Sequence, residues 1–246
     1  MKMIDIQIAS DLHLEYNKIK DYKDLIMPKA PILVLAGDIG NLYEYKKLLD
    51  FLTWCCDNFV AVLYVPGNHE FYKVYNYSPQ EKYELDFYMK KIENQLPNLY
   101  ILARKCININ GIYFAGCTLW SHFKNKYLPK FIVRIHGFNK YIYNKEYFKD
   151  LKWIETVLKL NKKVVIITHY PPIHIKKSIK NDKYRSLYGN ELEYLIQRND
   201  HIPVWICGHV HKNFDITLHD TRIVSNQLGK PRDNITDFSK NFVISL

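Results

Sequence analysis

The sequence predicts an α/β fold in four layers, α/β/β/α: two mixed sheets packed face to face with helices outside, as a single domain over residues 1–246. Two observations carry this expectation. Short β-branched apolar runs alternate with longer stretches of helical period, which implies parallel strands joined by crossovers. A second group of β-rich segments is left over, enough for another sheet.

In chain order, the buried-strand runs are Met3 to Ala9, Ile32 to Ala36, Val60 to Val65, Val164 to Thr168 and Val204 to Cys207. Helical period marks Tyr43 to Asp57, Pro79 to Gln95, Lys145 to Leu160 and Asn190 to Asn199. Tyr100 to Ile109 and Gly111 to Leu119 form two β-rich segments about an Asn110-Gly111 turn, because Asn-Gly favours the backbone that closes a hairpin. Phe214 to Leu218 and Arg222 to Ser225 flank a polar turn at His219-Asp220, and Asn241 to Leu246 is a last strand. No internal repeat, low-complexity tract or linker interrupts the chain.

Composition bounds the partners. The chain has 246 residues with 35 Lys and Arg against 25 Asp and Glu, a formal charge of +10, which favours anionic ligands. The basic residues are spread along the whole length, without the groove-lining basic and aromatic repeat of a nucleic-acid module. The five cysteines are odd in number and form no C-x-x-C pair, as expected in a reducing compartment. The amino terminus alternates apolar and polar residues, unlike a signal peptide, and no apolar run approaches the roughly 18 residues of a membrane span. The expected location is the cytoplasm or nucleus, with no membrane association.

The chemistry sits at the ends of the five strand runs, where ligands bind in open α/β sheets. Each end carries a metal-competent side chain: Asp11 and His13 in Ser-Asp-Leu-His, Asp38 in Gly-Asp, Asn68 and His69 in Gly-Asn-His-Glu, His169 in Thr-His-Tyr, and His209 and His211 in Gly-His-Val-His. Any one of these is a weak signal, since a lone Gly-Asp after a strand is usually a turn. Five together are not explained by coincidence. Asp-x-His and His-x-His place both side chains on one side of an extended segment. Gly37, Gly67 and Gly208 allow the backbone to turn just before the ligands. Mixed carboxylate, imidazole and amide donors suit manganese, iron or zinc rather than calcium. Two such ions about 3.5 to 4 Å apart would clamp phosphoryl oxygens and activate water for in-line attack.

This ordered set, from Asp11 to His211, resembles the calcineurin-like metallophosphoesterase superfamily. The resemblance implies a first ion on Asp11, His13, Asp38 and His211 and a second on Asp38, Asn68, His169 and His209, with Asp38 shared. It also implies a catalytic role for His69, as general acid or transition-state donor at the leaving group. The Ser/Thr protein phosphatases of the superfamily continue Gly-Asp with Val-Asp-Arg-Gly, whereas Asp38 here is followed by Ile39, Gly40 and Asn41. The terminal Gly-His-Val-His and the segments Thr118-Leu119-Trp120 and Arg222 to Asn226 are closer to the phosphodiesterase-type branch. The expected activity is therefore hydrolysis of a phosphodiester or phosphomonoester, with a small nucleotide-like substrate favoured by the charge. A metal-dependent nuclease and a catalytically idle interaction scaffold are the alternatives, and the intact His69 speaks against the scaffold.

Outside the strand ends the expectations are lesser ones. His122, after a strand of the second sheet, is a candidate substrate contact, while His136, His174, His201 and His219 read as loop or surface residues. The lysines between His174 and Arg185 form a solvated basic face or a funnel for phosphate. Tyr16, Phe71, Tyr72 and Tyr170 lie near motifs where a base could stack, although an aromatic content of 15% makes such placements common. Glu15 and Glu70 lie where they could orient a loop or a ligand histidine.

Overall fold

The computed structural model describes residues 3–126, 129, 134–175 and 182–246. Its strands are β1 (Asp5–Ala9), β2 (Ile32–Ala36), β3 (Ala61–Val65), β4 (Leu99–Ile101), β5 (Lys105–Ile109), β6 (Ile112–Cys117), β7 (Val164–Thr168), β8 (Val204–Ile206), β9 (Phe214–Leu218), β10 (Thr221–Ser225) and β11 (Val243–Ser245). Its helices are α1 (Tyr45–Asn58), α2 (Lys82–Gln95), α3 (Lys140–Leu158) and α4 (Glu193–Gln197).

Two mixed sheets result, with orders β11-β1-β2-β3-β4 and β5-β6-β7-β8-β10-β9. Within each, the inner strands run parallel, with Ile6 opposite Ile32, Val34 opposite Leu63, Phe114 opposite Val165 and Ile166 opposite Trp205. The outer strands β11, β5 and β9 are antiparallel to their neighbours.

Side-chain alternation explains the layers. In β2, Ile32, Val34 and Ala36 face an apolar layer shared with Ile6, Leu63, Phe114, Val165, Ile167 and Ile206, which therefore lies between the sheets. The alternate residues Leu33 and Leu35 face Phe51 and Leu52 of α1 and Leu85 and Ile92 of α2. On the far side, Ile166, Trp205 and Ile223 meet Ile154 and Leu158 of α3 and Leu195 and Ile196 of α4. Strands covered on both faces must be apolar throughout, as β2 and β3 are. Each fully buried aliphatic side chain of this kind stabilises the fold by roughly 1.5–3 kcal/mol.

The four-layer expectation holds, with three local differences. The segment from Tyr100 to Ile109 is divided: β4 ends the first sheet, the chain crosses at Leu102 to Arg104, and β5 opens the second sheet. Leu102 is buried in the inter-sheet layer, and Arg104 takes a left-handed φ of 56° at the corner. Helix α3 begins five residues before its apolar stripe, because the Asn139 side chain accepts from the Ile142 N–H at 3.0 Å and caps it. Helix α4 is shorter than its pattern, since the N–H groups of Asn190 and Leu192 are held by the carbonyls of Pro171 and Pro172.

The carboxyl ends of the parallel strands from both sheets meet along one edge. Beyond β6, the Thr118 hydroxyl donates to the Pro66 carbonyl beyond β3 at 2.8 Å. Ser10 beyond β1 pairs with the segment beyond β10 through Asn226 and Gln227. The site lies on this edge.

Candidate active site

The loops leaving β1, β2, β3, β7 and β8 bring Asp11, His13, Asp38, Asn68, His169, His209 and His211 into one cluster. Ligand atoms of Asp11, His13, Asp38 and His211 lie within 4.8 Å of one another, as do those of Asp38, His169 and His209. The first group joins His211 Nε2 to His13 Nε2 at 3.0 Å and to Asp11 Oδ1 at 3.2 Å, with Asp38 Oδ2 3.9 Å from His13 Nε2. In the second, His169 Nε2 lies 3.3 Å from Asp38 Oδ1, 3.1 Å from Asn68 Oδ1 and 3.3 Å from His209 Nδ1. Asp38 thus turns one carboxylate oxygen toward each group.

The backbone is bent to achieve this. Asp11, His13, Asp38, His209 and His211 all adopt left-handed φ between 45° and 73°. Such a conformation costs a non-glycine residue on the order of 1–2 kcal/mol and is concentrated at functional sites. Gly67 and Gly208 press directly on the ligands: a Cβ on Gly67 would collide with Asp38 Oδ1, and one on Gly208 with Asp11 Oδ2.

Hydrogen bonds on the outer ring nitrogens decide what the cluster can hold. His13 Nδ1 lies 3.1 Å from Glu15 Oε1, and His211 Nδ1 2.5 Å from Asp233 Oδ2. His169 Nδ1 lies 2.9 Å from the Ala36 carbonyl, and His209 Nε2 2.8 Å from the Leu187 carbonyl. All four partners are acceptors, so each outer nitrogen carries its proton and each inner nitrogen offers a lone pair to the cluster. Lone pairs facing one another at 3.0 to 3.3 Å need a positive charge between them, either a proton or a metal cation. A carboxylate, imidazole and amide set on two sides of one shared aspartate fits two transition-type cations.

The electrostatics agree. Burial alone would raise the pKa of Asp11, but His211 and His169 outweigh it and lower the group to about 2. Burial also opposes charge on Asp38, yet the imidazoles of His169, His69 and His13 hold it well below the usual carboxylate range. Burial and the neighbouring His169 push His209 down to about 3, so it stays neutral and able to donate a lone pair to a cation.

His69 stands beside the first group, its ring centroid 4.5 Å from that of His13. Its Nδ1 lies 2.9 Å from Glu15 Oε1, the atom that also meets His13. Its Nε2 lies 2.9 Å from the Lys230 ammonium. Glu70 holds the loops themselves: its two oxygens accept from the N–H groups of Asp38, Ile39 and Gly67 and from the Tyr64 hydroxyl, at 2.6 to 3.1 Å.

His122 is not brought into this cluster. It stacks on Tyr147, with centroids 5.4 Å apart and planes 6° apart, in a small cavity with Lys124, His174 and Asn190. Phe71 and Tyr170 are buried packing residues, and Tyr170 also lies against the His209 ring, whereas Tyr16 is half-exposed beside His69. The expectation for Lys176, Lys177 and Lys180 falls outside the described residues. Sequence reasoning passed over Lys230 and Asp233, which follow the last motif in a stretch with no metal-ligand pattern; their only signal is charge after Leu228-Gly229.

Fold and cluster together define a dinuclear metallohydrolase, and comparison with known proteins agrees. The family model for calcineurin-like phosphoesterases matches residues 4–213. The chain belongs to that family, whose members bind a dinuclear divalent metal centre, and it is a metal-dependent phosphoric ester hydrolase. An uncharacterized protein of Acanthamoeba polyphaga mimivirus is 28% identical over 255 residues, covering 91% of this chain and 90% of that one. A probable glycerophosphodiester phosphodiesterase of Arcobacter nitrofigilis is 25% identical over 236 residues, covering 86% of this chain and 71% of its own. Among solved structures, the phosphopantetheinyl hydrolase of Mycobacterium tuberculosis superposes with a TM-score of 0.76 at 14% identity, over 98% of this chain and 95% of that one. Among the described residues no helix is long and apolar enough to cross a membrane.

Proposed function

We propose that the chain hydrolyses a small phosphodiester or phosphomonoester, of nucleotide-like type, on two ions held by Asp11, His13, Asp38 and His211 and by Asp38, Asn68, His169 and His209. The observation that carries this is the set of four imidazoles whose outer nitrogens are committed to acceptors while their inner lone pairs converge on the two oxygens of Asp38. The donor chemistry favours manganese, iron or zinc. When bound, the cation pair supplies Lewis-acid stabilisation of the phosphoryl oxygens and a nucleophile at neutral pH.

The chain's own residues do the rest. Asp38 fixes the spacing of the two half-sites, and Glu70 fixes Asp38 through the backbone N–H groups around it. His69, oriented by Glu15, faces the leaving-group side. The overall charge of +10 and the nearby Lys230 support an anionic, nucleotide-like substrate over a neutral one. The probable glycerophosphodiester phosphodiesterase that it resembles supports a small phosphodiester as the substrate class.

The test loads purified protein with manganese and measures bound metal and cleavage of para-nitrophenyl phosphate, bis(para-nitrophenyl) phosphate and a panel of nucleotides. Close to two ions per chain and turnover that falls with His69→Ala are expected. Absence of turnover, or equal turnover in the variant, overturns the proposal. Turnover confined to polynucleotides and steeply weakened by salt identifies a nuclease instead.

A further inference from the structure

The Lys230 ammonium lies 2.9 Å from His69 Nε2. Lys230 reaches that position from a turn after β10, more than half the chain away from His69. The turn is firmly placed: the Lys230 N–H donates to Asp233 Oδ2 at 2.8 Å, and the Gly229 N–H to the Asp11 carbonyl at 3.0 Å. The ammonium also sits 5.5 Å above the Tyr16 ring, and the lysine is about half-buried. Lys230 lines a cavity of about 330 Å³ together with Asn17, Gly229, Asn234 and Thr236. This cation, held against an imidazole and lining a polar cavity, has no carboxylate partner within ion-pair distance among the described residues.

Resting on the proposed hydrolysis, we infer that Lys230 is a catalytic residue whose ammonium stabilises the negative charge developing on the leaving-group oxygen, with the leaving group entering the cavity that Lys230 lines. With His69 Nδ1 donating to Glu15, the Nε2 lone pair accepts an N–H of the Lys230 ammonium and holds it in place, so a substrate oxygen at this end of the ring meets the remaining N–H groups of Lys230. One water is consumed: its oxygen bonds to phosphorus with one hydrogen, and the phosphorus–oxygen ester bond breaks with its electron pair on the leaving oxygen. That oxygen accepts the N–H···O bond from Lys230 as its charge grows, and it finally carries the second proton of the water. A donor placed where charge develops contributes to the transition state more than to substrate binding.

The experiment compares wild type, Lys230→Met and Lys230→Arg on aryl and alkyl phosphate esters of graded leaving-group basicity, and follows binding of inorganic phosphate to the manganese-loaded proteins by calorimetry. Lys230→Met is expected to lose about 10²-fold in kcat on alkyl esters but under about tenfold on para-nitrophenyl esters, steepening the leaving-group dependence. Phosphate binding should weaken about tenfold, since the fourth oxygen of the ion occupies the same place. Lys230→Arg should recover most of both losses, and circular dichroism should show both variants folded. An active wild type whose Lys230→Met variant loses the same factor on every ester and binds phosphate unchanged overturns the inference and leaves the hydrolase intact. A wild type that binds metal and phosphate yet cleaves no ester overturns the hydrolase reading and the inference with it.

Discussion

One oxygen of Glu15, Oε1, lies 3.1 Å from Nδ1 of His13 and 2.9 Å from Nδ1 of His69. A single carboxylate therefore sets the tautomer of an imidazole inside the ligand-competent cluster and of the imidazole beside it. Ser-Asp-Leu-His-Leu-Glu places it two residues after His13, where the chain has already turned through a left-handed residue.

Glu15→Ala should consequently damage two functions at once. Metal affinity is expected to fall by roughly 10–100-fold, the usual cost of losing a ligand's outer partner, and kcat should fall further even at saturating metal. Glu15→Gln, which retains an acceptor oxygen, should recover much of the metal affinity. Metal titration followed by kinetics at saturation separates the two effects, and equal affinity in all three proteins would refute the shared role.

Glu70 supports the site through the backbone of its loops. In Glu70→Gln an NH₂ group would replace one oxygen and confront N–H donors, leaving the N–H groups of Gly67 and Asp38, or those of Ile39 and the Tyr64 hydroxyl, without an acceptor. Loss of about 2–4 kcal/mol in stability is expected, read as a lower denaturant midpoint at unchanged slope. A change within about 0.5 kcal/mol would contradict the assigned network.

Gly67→Ala is a small change with a local target. The added Cβ would meet Asp38 Oδ1 and lie 2.9 Å from His169 Cδ2, so the carboxylate shared by both half-sites must move. Elemental analysis should find substantially fewer than two ions per chain while circular dichroism stays unchanged. Full metal occupancy would show that Asp38 tolerates displacement.

In the absence of cations, protons take their place. Burial disfavours charge on His169, but the carboxylates of Asp38, Asp11 and Glu70 outweigh it and raise its pKa from 6.5 to about 9. A raised histidine contributes stability that is fully present below its unfolded pKa and lost as pH rises through the folded one. The metal-free protein should thus lose melting temperature between about pH 7 and 10, whereas the metal-loaded protein should be flatter over that window. Calorimetry in buffers of different ionisation enthalpy should record about one proton released on metal binding near pH 7.5. A metal-free melting temperature that rises across the window would contradict the sign.

The residues of the site were legible as a set because each motif follows a strand, and strand ends are recognisable from apolar runs of five or so residues. Their distribution was less so. Asp11, Asp38 and Asn68 follow strands of one sheet, while His169 and His209 follow strands of the other. Alternating strands and helices look the same whether the strands join one sheet or two. Polar residues inside strands were ambiguous for a similar reason: Gln7 is buried in β1, satisfied by the carbonyls of Met27 and Lys240 and by the Lys29 N–H.

Sequence alone determined the reaction class, because metal-dependent phosphate chemistry requires particular donor atoms and the residues that carry them stand in a specific order. Tertiary structure decided how each donor is aimed. Five left-handed residues, the partner of every imidazole's outer nitrogen, and the approach of Lys230 to His69 across 161 positions of sequence all depend on contacts between distant segments. Such contacts are fixed by packing of the two sheets, and packing leaves no periodic trace in the residues that happen to meet at its edge.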